Sequence, residues 1–588
     1  MKLRRSVAVA VVTGIAASLA VAPAQAGGPA TRVEWGACPE EVAVVSPTLQ
    51  CARVPVPLDY RDPDGVTIDI TVSRIVSAKP AQRRGILLLN PGGPGASGLT
   101  MPADLVGLGL PSSVSERYDL IGMDPRGVGR SAPVSCGFTG ELDYFSNVPP
   151  YAVDDAAVIE RARTARAAAE LCAANDTEGR LRHITTANTA RDLDTIRAAL
   201  GEATASFYGA SYGSALGAAY ASMFPDTTDR IVVDSNLGDT HLDYAAMRRF
   251  GLGVEQTFPD FAAWAAARHG SYGLGRTPEQ VRRTYFRLAE RLDKAPVGFV
   301  TGAVFRFTTF AALYGKANYP ALAQDWLSLL RADDAAVAGS GDGAATAPEL
   351  LPWDNFLSAY LAVTCNDVNW PEDVNTYRRA VAEDRKRYPM FGAASANITP
   401  CAYWAYEPSE PPVRINDRGP RNVLIVQNLR DPGTPHRGGE LLREKFAKRS
   451  RLVSVDGSGH GVYVWGDNAC ALNVTTAYLV DGTMPRDTFC GPATRRLDAD
   501  AAQRRADTLD QLHRRNAATS GENAINEPAL PATLRKMLPS AHALAASSGK
   551  LLSRVARGSS GGRCHPGDGR ETSGGVVVGG VSTGRAWP

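Results

Sequence analysis

Apolar runs and helical patterns alternate along most of this chain. Six short runs rich in apolar residues predict strands, at residues 86–89, 118–123, 205–208, 231–234, 422–427 and 451–455. Helical patterns precede or follow several of them, at residues 151–174, 189–200 and 438–448. Strands that alternate with helices predict an α/β fold with a mostly parallel sheet flanked by helices. In such a sheet, ligand chemistry collects at the carboxyl ends of the strands.

Two regions depart from this alternation. Residues 52–59 and 67–76 predict an antiparallel pair of strands, with the turn Asp62-Pro63-Asp64-Gly65 between them. Residues 241–415 contain helical stretches and five tryptophans but no strand-helix alternation. We therefore expect an inserted, mostly helical cap at 241–415, between two parts of one α/β core at 27–240 and 416–518.

The two ends of the chain differ in composition from the middle. Lys2, Arg4 and Arg5 precede an uncharged run at 6–22, and Ala24-Gln25-Ala26 has the form of a signal peptidase site. No later stretch reaches about 18 apolar residues without charge. We expect a signal peptide at 1–26, a secreted protein and no membrane anchor. Residues 519–588 lack periodicity and are rich in Gly, Ser, Arg and Pro, which predicts a disordered, dispensable tail.

Nine cysteines behind an export signal predict a disulfide framework with one cysteine left over. Eight cysteines allow 105 pairings. Short loops close at the lowest entropic cost, so we expect neighbours in sequence to pair. The predicted bridges are Cys38–Cys51, Cys136–Cys172, Cys365–Cys401 and Cys470–Cys490, with Cys564 unpaired. No C-x-x-C pair or His-rich cluster favours a zinc site instead.

The balance of charged residues argues against one class of partner, nucleic acid. The chain has 63 basic and 61 acidic residues, a net charge of +2, and no basic cluster interleaved with aromatic residues. Nucleic acid is therefore not an expected partner. No phosphate-binding pattern such as G-K-[ST] follows a predicted strand, and we expect no cofactor and no catalytic metal.

The clearest chemical signal is Gly209-Ala210-Ser211-Tyr212-Gly213, which follows the apolar run at 205–208 and opens an Ala-rich helical segment. Strand, sharp turn and helix around G-x-S-x-G are typical of a nucleophile elbow. The same five-residue pattern recurs at 558–562 and 580–584, but there it lies in the Gly/Ser-rich tail with no helix after it. Ser211 is therefore the predicted nucleophile.

An acid and a histidine follow the next predicted strands. Asp431 comes after the strand at 422–427, and His460 comes after the strand at 451–455, between two glycines. Ser, Asp and His in this chain order match one class of catalytic triad. His436 is the alternative base, at the start of a helix where side chains more often face solvent. Asp456 and Asp467 are rival acids, but neither ends the preceding strand.

Two glycine-rich loops should lie beside Ser211 at the same edge of the sheet. The loop with Gly92 and Gly93 could direct a backbone N–H at a developing oxyanion, with the N–H of Tyr212 as the second donor. The second loop contains Asp124 and Arg126. For this pair, a structural ion pair and a direct role are both open.

Five motifs together resemble a known family. They are Asn90-Pro91-Gly92-Gly93-Pro94-Gly95, Asp124-x-Arg126-Gly127-x-Gly129-x-Ser131, Gly209-x-Ser211-Tyr212-Gly213, Asp431-x-x-Thr434-Pro435 and Gly459-His460-Gly461. In this order they resemble the α/β-hydrolase serine peptidases of the proline iminopeptidase branch, and above all the secreted tripeptidyl aminopeptidases of actinobacteria. The likeness extends from about residue 35 to residue 510.

The resemblance implies an exopeptidase that releases short peptides from free amino termini through an acyl-enzyme on Ser211. It also implies that Gly93 is an oxyanion donor, although the iminopeptidases have histidine where this chain has Pro91. The acids that bind the substrate amine do not map by motif. Asp367 is a candidate, and capping a helix or facing solvent are its alternatives. A carboxylester hydrolase, a prolyl aminopeptidase and a binding protein without turnover are the other interpretations.

Overall fold

The computed structural model describes residues 33–332 and 350–493. The predicted signal peptide at 1–26, the predicted tail at 519–588 and Cys564 lie outside these residues. The boundaries proposed for the core and the cap remain predictions.

Within the described residues, ten strands form one sheet, in the order β1-β2-β3-β5-β4-β6-β7-β8-β9-β10. The strands are β1 (Gly36–Ala37), β2 (Gln50–Pro57), β3 (Thr67–Ile75), β4 (Gly85–Asn90), β5 (Tyr118–Met123), β6 (Ala205–Ala210), β7 (Thr228–Asp234), β8 (Val423–Arg430), β9 (Ser450–Ser458) and β10 (Thr488–Cys490). The predicted antiparallel opening pair is confirmed, because β2 and β3 pair antiparallel from Gln50↔Arg74 to Pro57↔Thr67. From β5 to β10, all neighbouring strands are parallel.

The described α-helices cover both faces of the sheet and fill the insertion between β7 and β8. They are α1 (Glu40–Ala43), α2 (Met101–Gly107), α3 (Ser112–Ser115), α4 (Asp155–Asn175), α5 (Thr186–Ala199), α6 (Tyr212–Met223), α7 (Tyr244–Ala266), α8 (His269–Tyr272), α9 (Pro278–Lys294), α10 (Gly302–Ala312), α11 (Tyr319–Arg331), α12 (Asp354–Asp367), α13 (Val374–Arg387), α14 (Gly392–Ser395), α15 (His436–Phe446) and α16 (Ala469–Asp481). The α/β-hydrolase fold predicted from the sequence is therefore confirmed.

Buried aromatic residues form the centre of the insertion. Trp326 is almost fully buried, and the rings of Phe261, Tyr285 and Phe305 lie 5.2, 5.7 and 5.3 Å from it. Each such ring pair contributes roughly 0.5–1.5 kcal/mol beyond the area it buries. Helices α7, α9, α10 and α11 therefore hold each other together through their own packing.

The insertion is also fixed to the core. The side-chain oxygen of Asn355, at the start of α12, accepts a hydrogen bond from the Gly129 N–H, and its amide donates to the carbonyl oxygens of Gly127 and Val134. These three core residues belong to the loop after β5 and its continuation. The contacts place α12 above the carboxyl edge of the sheet.

The predicted disulfide pairing is confirmed. Cys38–Cys51, Cys136–Cys172, Cys365–Cys401 and Cys470–Cys490 are bonded. Cysteine bridges of this number are typical of proteins that mature in an oxidising compartment. In the two described ranges of the chain, no helix has the length and apolar character needed to cross a membrane.

Asp124 and Arg126 both make structural contacts, but each does so with other residues and not in the ion pair that the sequence left open. Arg126 is fully buried and makes two hydrogen bonds to the carboxylate of Asp192, at 2.6 and 2.7 Å. It also donates to the carbonyl oxygens of Leu58 and Pro57. Asp124 accepts from the N–H of Arg130 and from Ser97, and burial raises its pKa to about 6. These bonds hold the loop after β5 in shape.

Candidate active site

Ser211 lies at the sharp turn between β6 and α6. Its backbone has φ 59° and ψ −126°, a region that residues other than glycine rarely adopt. Strain of this kind is characteristic of nucleophile elbows. The Ser211 N–H donates to the carbonyl oxygen of Asp234, at the end of the adjacent strand β7, over 2.9 Å. The turn is therefore fixed to the neighbouring strand.

The two glycines of the elbow are required by close backbone contacts. A Cβ on Gly209 would lie 2.4 Å from the carbonyl oxygen of Gly213, and a Cβ on Gly213 would lie 2.7 Å from that of Asn90. Both distances are well inside van der Waals contact, and the opposing atoms are backbone atoms that cannot rotate away. Positions 209 and 213 of the elbow therefore have room only for glycine.

The loop after β4 packs directly on the elbow. A Cβ on Gly92, where φ is +97°, would lie 2.5 Å from the Ala210 carbonyl oxygen and 2.9 Å from the Ser211 Cβ. Tyr212 is the first residue of α6, so its N–H has no partner within the helix. The N–H groups of Gly93 and Tyr212 stay the predicted oxyanion donors. The close packing of the Gly92 loop on the elbow supports this prediction.

His460 and Asp431 face each other across the loops after β9 and β8. The Nδ1 atom of His460 lies 3.0 Å from each carboxylate oxygen of Asp431. Asp431 is fully buried, and one of its oxygens also accepts the N–H groups of Gly433 and Thr434, at 2.9 and 2.8 Å. The Thr434 hydroxyl donates to the other oxygen over 2.8 Å and lies 3.1 Å from His460 Nδ1. The acid is thus held in one orientation.

Two opposing effects determine the pKa of His460. Burial alone would lower the pKa, because it disfavours the charged imidazolium. The charge of Asp431 and its hydrogen bond act in the other direction, and Asp234 adds a smaller contribution of the same sign. The pKa of His460 is raised above its ordinary value of 6.5 as a result. This environment stabilises the imidazolium that a general base becomes when it takes a proton.

Asp234 and Ser235 were not predicted from the sequence. Both contact the His460 loop, and the backbone of Asp234 also contacts the elbow. The carboxylate of Asp234 accepts the N–H groups of Val462 and Tyr463, at 2.9 and 2.8 Å. The Ser235 hydroxyl accepts the N–H of Gly461 over 2.8 Å, and Ser235 has a φ of +55°. The position of Asp234 at the carboxyl end of a predicted strand was the available signal. Its partners are 228 and 229 residues away along the chain.

The rival residues have other partners. His436 Nε2 lies 2.8 Å from the hydroxyl of Ser454, and its Nδ1 lies 3.3 Å from Glu440. Asp456 forms an ion pair with Arg430 at 2.8 Å. Asp467 is exposed. These contacts support the choice of His460 and Asp431 over all three alternatives.

Asp367 lies at the end of α12, where the cap meets the core. Its two carboxylate oxygens accept the N–H and the hydroxyl of Thr186, at 2.8 and 2.6 Å. Thr186 begins α5, so Asp367 caps that helix from a distant part of the chain. The Thr186 hydroxyl also lies 2.6 Å from the Tyr212 hydroxyl. Burial raises the pKa of Asp367 to about 7. Its role toward substrate stays a prediction.

The comparison with known proteins agrees with this geometry. The chain is 34% identical over 487 residues to a tripeptidyl aminopeptidase of Streptomyces coelicolor, and the match covers 81% of this chain and 88% of that protein. The chain belongs to the tripeptidyl aminopeptidase family. It is therefore a serine hydrolase of the peptidase type, as the motifs predict.

Other findings are consistent with membership in this family. A family model described as "TAP-like protein" matches residues 388–490, which include Asp431 and His460. The serine protease Hip1 of Mycobacterium tuberculosis is 28% identical, with 77% of this chain and 89% of that protein covered. A protein of the same organism named carboxylesterase B is 30% identical, with 79% and 91% covered. Within the described residues, no group of three or more His, Cys, Asp or Glu could hold a metal ion.

Proposed function

We propose that this member of the tripeptidyl aminopeptidase family is a secreted exopeptidase that releases short peptides, tripeptides in particular, from free amino termini. The observation that carries the proposal is the contact of His460 Nδ1 with both oxygens of Asp431, at 3.0 Å. The histidine lies on a loop that is hydrogen bonded to Asp234 and Ser235, and the backbone carbonyl of Asp234 also accepts the Ser211 N–H of the elbow.

The proposed residues divide the steps of the reaction among them. The Ser211 Oγ attacks the carbonyl carbon of the scissile bond while His460 Nε2 takes its proton, and Asp431 orients the imidazole through Nδ1. The N–H groups of Gly93 and Tyr212 stabilise the oxyanion of the tetrahedral intermediate. His460 then protonates the departing amine, and water hydrolyses the acyl-enzyme by the same proton transfers in reverse order.

Packing of the cap on the oxyanion loop supports an exopeptidase. A Cβ on Gly93 would lie 3.4 Å from the Phe356 ring, and a Cβ on Gly95 would lie 2.7 Å from the Phe356 carbonyl oxygen. Helix α12 thus covers one side of the proposed site. A polypeptide that runs through the site would have to cross this helix, whereas a chain end could enter beside it. The names of the relatives favour the amino terminus as that end.

Asp367 is the proposed partner of the substrate ammonium. It borders a cavity whose other charged or titratable lining residues are Glu410 and His241. An ammonium brought under the cap loses its water shell, so it needs a carboxylate opposite it. A bound cation would also lower the pKa of Asp367 from its raised value of about 7. The alternative is that Asp367 only caps α5.

Matched peptides with free and acetylated amino termini test the proposal. The purified enzyme should release tripeptides from the free peptides, and acetylation should reduce kcat/KM by at least about 100-fold, the cost of a lost charge interaction of a few kcal/mol. Mass spectrometry of the products gives the length released. Equal cleavage of the two peptides would contradict an aminopeptidase. An Asp367→Asn variant with unchanged kcat/KM would remove only that residue assignment.

An ester hydrolase is the second candidate function, because one relative of comparable identity is named carboxylesterase B. The same triad cleaves esters and amides, and the fold does not decide between them. Turnover of short acyl esters at a kcat/KM well above that of every peptide in a mixed pool would favour this candidate. Release of single amino-terminal prolines, without tripeptides, would instead favour a prolyl aminopeptidase.

Secretion is part of the proposal and has its own test. The leader at 1–26 and the four disulfides support export to an oxidising compartment. The protein in the culture medium should begin at Gly27 in amino-terminal sequencing. Retention of the intact leader inside the cell would contradict export.

A further inference from the structure

One residue of the insertion reaches the proposed general base. Tyr314 comes just after α10, and its carbonyl oxygen accepts the backbone N–H of His460 over 2.8 Å. A Cβ on the preceding Gly459, where φ is +112°, would lie 2.8 Å from the same oxygen. The His460 loop can approach the insertion this closely because position 459 has no side chain. The backbone of the histidine is thus fixed by a residue outside the sheet.

The side chain of Tyr314 spans both halves of the acid-base pair. Its ring centroid lies 4.8 Å from that of the His460 imidazole, with the two planes tilted by 51°. Its hydroxyl faces the loop that carries the acid, since a Cβ on Gly433 would lie 2.4 Å from that oxygen. The Gly433 N–H is one of the donors to Asp431. A single tyrosine therefore contacts the histidine loop and the acid loop together.

Aromatic residues of the insertion also pack against the ring of Tyr314. The ring of Phe310 meets it edge-on at 5.3 Å. Phe310 in turn stacks on Phe391 at 4.5 Å and on Phe250 at 5.7 Å. Tyr314 is thus the last of a row of packed aromatic rings that begins in the interior of the insertion. Movement of the insertion relative to the sheet would act on His460 through these rings.

We propose that Tyr314 is a positioning residue that makes the insertion a part of the general-base assembly. The inference rests on the proposed role of His460 as the base. The Tyr314 carbonyl sets the position of the histidine backbone, and its ring limits the access of water to the Asp431–His460 pair. Less water around a charge pair means weaker screening of its attraction. The charged groups that face His460 are Asp431, from the loop after β8, and Asp234, from the end of β7. Tyr314 itself is uncharged at neutral pH, and burial raises its pKa further above the ordinary value of 10.

The test measures hydrolysis of a neutral p-nitrophenyl ester and the rate at which a fluorophosphonate labels Ser211. Neither readout needs a substrate ammonium. Tyr314→Ala should lower kcat by about 10- to 100-fold, the size of effect expected when a reacting group is displaced by about 1 Å. KM should change little. Tyr272→Ala is the control, because Tyr272 is also a partly buried tyrosine of the insertion, with its ring against Trp264. The control should keep the activity of the wild type.

A second pair of variants tests the contact without removal of the ring. Gly433→Ala places a Cβ 2.4 Å from the Tyr314 oxygen and 3.0 Å from the carbon that bears it, so it should displace the ring and lower kcat. Tyr314→Phe removes the oxygen and should lose far less activity than Tyr314→Ala. Combined with Gly433→Ala, it should restore part of the lost kcat, because the shortest of the clashes is gone. This rescue can be measured even if Tyr314→Ala fails to fold.

The outcomes separate this inference from the proposed function. A Tyr314→Ala enzyme with wild-type kcat, or a double variant no better than Gly433→Ala alone, would overturn the positioning role. If His460→Ala labels as fast as the wild type, the base assignment fails and this inference fails with it. If the ester results are as expected but acetylated peptides are cleaved like free ones, only the aminopeptidase proposal fails.

Discussion

The elbow around Ser211 and the loop around His460 are neighbours in space, but they are held in different ways. The elbow is a local structure, because β6, the turn and α6 follow each other directly, and Gly209 contacts Gly213 within the same turn. The His460 loop depends on distant residues. It is bonded to Asp234 and Ser235 at the end of β7 and to Tyr314 of the insertion.

This difference teaches which parts of the site are sensitive to which changes. A local turn is disturbed mainly by changes to its own residues. A loop that is fixed by long-range hydrogen bonds can be displaced by changes more than 200 residues away. The reaction needs the elbow and the His460 loop in the correct position relative to each other, since a displacement of about 1 Å can cost 100-fold in rate. Variants on the two sides should therefore fail in recognisably different ways.

The largest expected effect is on the elbow side. Ser211→Ala should lower turnover by about a million-fold, as loss of a triad nucleophile does, and should leave the melting temperature near that of the wild type. Fluorophosphonate labelling and peptide hydrolysis measure the loss, and a thermal melt checks the fold. Activity above a few per cent of wild type would show that another residue is the nucleophile.

A change to the shape of the elbow should cost stability as well as activity. Gly213→Ala places a Cβ 2.7 Å from the Asn90 carbonyl oxygen, which no rotation can relieve. Overpacking of this kind costs roughly 1–3 kcal/mol of the free energy of unfolding. Gly270→Ala is the matched control, because no atom lies within 4 Å of a Cβ at that position. Denaturant unfolding compares the two variants, and equal stability would contradict the close packing of the elbow.

The same contrast explains how far the sequence alone could go. The strand at 118–123 and the triad candidates follow from local patterns, and the observed β5 has the predicted bounds. Asp234 and Tyr314 could not be found in this way. They act on residues 228 and 146 positions further along the chain, and no spacing rule links positions that only the folded sheet and insertion bring together. The start of β7, predicted at residue 231, was also wrong, because the strand begins with three polar residues, Thr228, Asp229 and Arg230.

On the His460 side, Asp234→Asn should lower kcat by about 10- to 100-fold, because the loop loses a charged acceptor for two of its N–H groups. The elbow should keep its geometry, since its bond is to the backbone carbonyl of Asp234 and not to the side chain. Ester hydrolysis measures kcat, and its pH dependence reports the base. Asp229→Asn, on the same strand but at its other end, is the control. Equal activity of the two variants would remove Asp234 from the assembly.

The smallest expected effect is a pH dependence that separates the two ionisable groups of the site. His460 must be neutral to accept the Ser211 proton, so kcat for a neutral ester should fall as the pH drops through the pKa of His460, which lies above 6.5.

Protonation of Asp367 should also lower activity as the pH drops, but only toward peptides and for a different reason. Its pKa is raised to about 7, so below that pH the carboxyl is increasingly neutral and loses its attraction for a substrate ammonium. The ratio of kcat/KM for a free-amine peptide to kcat/KM for the ester cancels the contribution of His460. That ratio should fall by up to about tenfold per pH unit below 7 in the wild type, and it should be flat in Asp367→Asn. A flat ratio in the wild type would assign Asp367 to helix capping alone and place the ammonium elsewhere under the insertion.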